Sequence, residues 1–159
     1  MRRLFIRLLF VGLVPVLLLA APGARAAQVF SHETDLTGLQ FPDLCTGQTV
    51  TLSSGTDRFQ VAVTINGNTF HLDMHDQLSN VHGTDPTGTS YVINGASHST
   101  MNINQPPPNA TGEVTTVSHS NVIAQGSAPN EVFDDTFHIT VDHQGNVTAM
   151  HSDLDMSCR

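Results

Sequence analysis

From residue 49 onward, apolar and polar positions alternate in short runs, and the runs are separated by Gly, Asn, Asp or Pro. A period of two puts every second side chain on one face, the mark of a half-buried strand. No stretch after residue 26 sustains the period of a helix. Thr, Val, Ile and Phe, which suit a pleated surface, recur in these runs. The pattern predicts strands over 49–53, 58–65, 69–75, 78–82, 90–94, 98–103, 113–125, 136–142 and 147–157.

The breaks carry turn chemistry. "INGNT" sets Asn66-Gly67 between two alternating runs, and "INGAS" repeats the pair at Asn94-Gly95; both predict tight hairpins. "DHQGN" places Gly145 where a left-handed residue ends a three-residue hairpin. Asp85-Pro86-Thr87-Gly88 is a turn with Pro in second position. Residues 104–112, "NQPPPNATG", lack the donors for a ladder and read as a loop. The expectation is an all-β fold, either an antiparallel barrel of eight or nine strands or a two-sheet sandwich. Residues 27–47 are expected as an extended arm and 48–159 as a single β-domain.

Parity assigns faces. In "FHLDMHD", Phe70, Leu72 and Met74 point one way and His71, Asp73 and His75 the other. The apolar trio is expected in the core and the polar trio in solvent. A metal reading competes, with His71, Asp73 and His75 as its candidates. Alternate residues are about 7 Å apart along a strand and positions i and i+4 about 13 Å. One ion can therefore join His71 with Asp73, or Asp73 with His75, but hardly both histidines. Further ligands must come from another strand, and His82 and His98 lie on nearby ones. "FHITVDH" repeats the pattern, with Phe137, Ile139 and Val141 dry and His138 and Asp142 opposite. In the last strand the apolar parity changes between Ala149 and Leu154, which predicts a bulge near Ser152-Asp153 and a buried His151 paired with Phe137.

Charge changes the picture once the first residues are set aside. Arg2, Arg3 and Arg7 precede a Leu-rich run, and Ala24-Arg25-Ala26 follows it, so residues 1–26 read as a cleaved signal peptide. What remains has two basic residues, Arg58 and Arg159, against fourteen acidic ones, a net charge of −12 with His neutral. Such a surface repels phosphate backbones and anionic headgroups, which excludes nucleic acid and, after signal removal, a membrane surface as partners. A small ligand or another protein remains. All nine histidines lie in this part, so its charge depends strongly on pH near their ordinary pKa of about 6.5. Cys45 and Cys158, an even pair in an exported chain, are expected to form a disulfide spanning the domain.

Catalytic patterns are sparse. Ser97-His98-Ser99 and Ser118-His119-Ser120 set Ser beside His, but adjacent strand residues point to opposite faces. No G-x-S-x-G motif occurs. Phe59, Phe70, Phe133 and Phe137 can either line or fill a barrel interior. No catalytic residue and no cofactor is expected.

"LCTGQTVTLSSG", "IAQGSAPNEVF", "TFHITVDHQGNVTA" and the closing "CR" resemble an uncharacterised family of small exported bacterial β-proteins with a terminal disulfide. The similarity covers most of residues 43–159. It implies a secreted or periplasmic β-domain and brings no activity with it. The function expected is that of a non-catalytic interaction or binding module. The alternatives are divalent-metal binding through surface histidines and apolar small-ligand binding in a barrel interior.

Overall fold

The computed structural model describes residues 28–104 and 110–159. The expected signal peptide and the proline run of the expected loop lie outside the described residues. Eight strands form: β1 (Gln28–Asp35), β2 (Gln40–Pro42), β3 (Thr49–Asn66), β4 (Thr69–Thr84), β5 (Ser90–Asn104), β6 (Thr111–Ala124), β7 (Glu131–Val141) and β8 (Val147–Cys158). The fold is all-β and every pairing is antiparallel, in the spatial order β1-β3-β4-β5-β6-β7-β8. β2 pairs with β3 beyond the end of β1. β1 and β8 share no ladder, so the sheet does not close. No helix of the described residues is long and apolar enough to cross a membrane.

The strands are longer than the alternation suggested. Residues 49–53 and 58–65 are one strand, as are 69–75 and 78–82, because facing register shifts near Ser54 and between Gln77 and Val81 carry the pairing through. The hairpin expected at Asn94-Gly95 does not exist. β5 runs straight through it, pairing Asn94 with Asn121 and Gly95 with Ser120. A Cβ at residue 95 would sit 3.1 Å from Ser120 Cβ and 3.2 Å from Leu78 Cδ1. Glycine is there for close approach rather than for a turn. The hairpin at Asn66 does form, with Asn66 paired to Thr69 and Gly67 at a φ of 57° in the first loop position. The expected extended arm over 27–47 is, where described, two strands of the sheet, β1 and β2, with turns at Thr37-Gly38 and Leu44–Thr46.

The bulge expected at Ser152-Asp153 is also misplaced. Pairing is unbroken from Met150 to Cys158, and the irregularity lies at Thr148, between Thr140–Ala149 and Val141–Val147. Shifting parity beside the turn keeps Met150, Leu154 and Met156 on one face with a single bulge. His151 therefore pairs with His138, not Phe137, and is exposed.

A sheet with no partner sheet can bury one face only by rolling. The buried cluster is Leu36, Val50, Leu52, Val81, Tyr91, Ile93, Val122 and Ala124, all at one end of the sheet. The roll is pinned there. Cys45, just after β2, is bonded to Cys158 of β8, with Cα atoms 5.6 Å apart. Leu44 N donates to Glu131 Oε2 at 2.8 Å, and Asn130 and Arg159 exchange backbone bonds of 2.7 and 2.9 Å. The trio Phe70, Leu72 and Met74 shares the inner face, through pairing with Ile103, Met101 and Ser99, but lies away from this core and is only half-buried or exposed.

Candidate functional site

Two regions of the described chain gather chemistry. The first is on the outer face. Asp73 and His75 sit two positions apart on β4, and His98 of β5 pairs directly across from His75. His75 Nε2 lies 2.8 Å and His98 Nε2 3.1 Å from the same oxygen, Asp73 Oδ1. The two imidazoles stack, with centroids 4.4 Å apart and planes 6° from parallel. One ligand atom from each residue can be chosen so that all three lie within 4.8 Å of one another. His71, the remaining candidate from the sequence, is not part of the group: its Nδ1 lies 2.6 Å from Asn102 Oδ1. His98 entered through cross-strand register, which alternation along one strand does not reveal.

Two other histidines make local bonds. His119 Nδ1 contacts Asp134 Oδ1, and its Nε2 lies 2.8 Å from Asn121 Nδ2. His138 Nδ1 lies 2.9 Å from Thr115 Oγ1. Ser97 and Ser99 share the inner face with Tyr91 and Ile93, whereas His98 is outside, so neither serine reaches that imidazole. A second acidic group, Asp43, Cys45 and Glu131, is structural. Its sulfur is in the disulfide, and Asp43 accepts bonds from Cys45 N, Thr46 N and Thr46 Oγ1.

The second region is the inner face beyond the core. Next to the core is a polar recess of about 230 Å³, whose lining includes Asp57, Asp76, Ser97, Ser118, Ser120 and Phe133. Asp57 Oδ1 is buried without a partner. Burial, followed by the hydrogen bond and the charge of Asp57, pushes Asp76 up to about 7. A proton on Asp76 supplies a donor facing Asp57. The sequence carried a signal for both residues, since Asp57 and Asp76 continue the apolar parities of Phe59 and Met74.

A pH prediction arises here. Unfolded, Asp76 loses its proton near the ordinary carboxylate value of 3.8; folded, it holds the proton to about 7. Its contribution is therefore fully present below about pH 4 and is lost as pH rises towards 7. In chelator, Asp76→Asn is expected to be more stable relative to wild type at pH 8 than at pH 4, measured as the shift in urea midpoint. A pH-independent difference between the two proteins would contradict the proton held on Asp76.

Beyond the recess the inner face turns apolar again and opens. Met101, Ile103, Val114, Ile139 and Val141 line a depression of about 280 Å³. The flanking strands continue this surface to both edges. Phe30 of β1 is 53% exposed, and Met150, Leu154 and Met156 of β8 are 66%, 60% and 43% exposed. Pairing puts all four on the inner side: Phe30 opposite Val61, Met150 opposite Ile139, Leu154 opposite Asp135 and Met156 opposite Phe133. The outward positions of the same two strands include Glu33, Asp35, Asp153 and Asp155, all exposed. No protein-family model, no curated protein and no solved structure matches this chain. The disulfide fits an oxidising compartment outside the cytoplasm.

Proposed function

We propose that the chain is an exported, non-catalytic interaction module that takes an extended polypeptide segment along the free edge of β8. The observation that carries this reading is the coincidence of a strand edge that no other described residue pairs with, and exposed inward-facing Met150, Leu154 and Met156. An exposed apolar edge is a template for a further strand. Added strands gain affinity from backbone bonds and specificity from alternate side chains. β1 and β8 run parallel to each other, since six antiparallel pairings separate them. A segment antiparallel to β8 is therefore also antiparallel to β1.

Charge selects the segment. Its inward residues meet Phe30, Leu154 and Met156, and its outward residues meet Glu33, Asp35, Asp153 and Asp155. The partner is accordingly a stretch of alternating apolar and basic residues. Export by a cleaved signal over residues 1–26, and kinship with small exported bacterial β-proteins, belong to the same proposal. The disulfide supports the first, and the turn motifs with the terminal cysteines support the second.

A synthetic peptide alternating Val and Lys is expected to bind and to slow hydrogen exchange of β8 amides. The matching Val–Glu peptide should not bind. Leu154→Lys, a substitution at an exposed site, should leave the fold intact and weaken binding at least about tenfold, because binding would bury its charge against the peptide's inward valines with no partner. Equal binding of both peptides, or unchanged exchange in β8, would overturn the reading. A stable dimer of the free protein in sedimentation would assign the edge to a second copy instead.

A further inference from the structure

We propose that Asp73, His75 and His98 form a binding site for a late first-row divalent cation such as Zn²⁺, on the outer face and independent of the β8 edge. The donor set is two imidazole nitrogens and one carboxylate oxygen, which suits zinc, copper or nickel rather than magnesium or calcium. Zinc holds such ligands at about 2.0–2.2 Å, so two ligand atoms on one tetrahedral ion lie roughly 3.3 Å apart. The observed spacings from Asp73 Oδ1, 2.8 and 3.1 Å, fall short of this by a few tenths of an ångström. The rings stack 4.4 Å apart and near parallel, so seating the ion requires the two imidazoles to tilt towards each other as well as the Asp73 carboxylate to turn.

The two rings are already brought together by the sheet. His75 and His98 are directly paired across β4 and β5, and both present Nε2 to the same oxygen. Each ring would bind the ion through Nε2 as a neutral imidazole, with its single proton on Nδ1. The residues directly opposite on this face are Gln60, Ala62, Thr100 and Val117, none of them charged. The three residues are half-buried or exposed, which leaves the fourth coordination position to water. The site is thus a three-ligand one open to solvent.

The test uses the untagged, disulfide-bonded protein freed of metal by chelator and titrated with ZnCl₂ by calorimetry and by thermal unfolding. One equivalent is expected to bind and to raise the Tm, because an ion bound only by the native state stabilises it. His75→Gln and His98→Gln should each weaken zinc binding at least about tenfold and remove the rise in Tm, by analogy with losses seen even for outer-shell partners. Both positions are exposed, so the metal-free Tm of each variant should match wild type. His71→Gln, whose ring lies outside the group, should keep full affinity. Magnesium should give no rise. Absence of stoichiometric uptake would overturn the proposal. So would a rise that survives His98→Gln, or one that His71→Gln removes equally, since either would assign the zinc to scattered surface histidines.

Discussion

Tyr91→Ala is expected to destabilise the fold by about 3–5 kcal/mol, the range found for truncating a buried aromatic ring. Tyr91 is the largest fully buried side chain, 1% exposed, among Val50, Val81, Ile93 and Val122. The loss has two parts. Truncation removes the transfer energy of the ring, and it leaves a cavity that the disulfide-pinned end of the roll cannot easily collapse. The hydroxyl adds a third cost. Tyr91 Oη donates to Asp85 Oδ2 at 3.0 Å, and Asp85 holds the Pro86 turn by accepting from Thr87 N, Thr87 Oγ1 and Thr89 N. The Thr87 hydroxyl bond, together with the bonds from Thr89, Tyr91 and the Thr87 amide, holds the Asp85 carboxyl below its ordinary value despite burial. Tyr91→Phe keeps the ring and loses only that donor, so its cost should be clearly smaller. Urea unfolding of the three proteins checks the order. An alanine variant no less stable than the phenylalanine one would show that the core is not where the burial places it.

Removing the disulfide, by Cys45→Ser with Cys158→Ser, is expected to cost about 4–5 kcal/mol on the chain-entropy account for a loop of roughly this length. The bond spans 113 residues, so it constrains nearly the whole described chain when unfolded. It also ties the segment after β2 to the end of β8, where no strand ladder joins the two edges. The Leu44–Glu131 bond and the Asn130–Arg159 pair remain to hold that end. Besides the fall in unfolding midpoint, faster hydrogen exchange is expected at Asn130 and Arg159. A midpoint unchanged by the double substitution would mean that these bonds pin the roll without the covalent link.

A sheet organised this way divides its labour along the strands. The pinned end buries an aliphatic core around one tyrosine. The middle holds the Asp57–Asp76 carboxylate pair, with Asp76 held well above its ordinary value. The far end exposes the apolar depression around Met101 and Ile139. The proposed binding edge runs along β8, from Met150 at that far end through Leu154, level with the carboxylate pair, to Met156. Leu154 is exposed and outside the buried cluster, so it can be changed without touching the core. The zinc proposal concerns the outer face, so its failure would leave the β8 reading standing, and the converse holds too.

The sequence by itself determined the class, most of the turns and the face of most residues within a strand. The two-residue period follows from the geometry of one extended chain, so it needs no knowledge of neighbours. That is why Phe70, Leu72 and Met74 could be assigned to one side and His71, Asp73 and His75 to the other. The disulfide was legible for a separate reason, an even pair of cysteines in a chain that reads as exported. Tertiary structure alone decided the rest. Gly95 looks like a turn residue until Leu78 and Ser120 are seen crowding it. The bulge of β8 lies at Thr148, not Ser152-Asp153, because register with β7 selects which solution keeps the apolar side chains inside. His98 joins Asp73 and His75, and His71 does not, because cross-strand pairing is set by long-range contacts. The apolar trio of "FHLDMHD" faces inward yet is not the core, because alternation gives direction but not depth, and depth depends on where the sheet rolls shut.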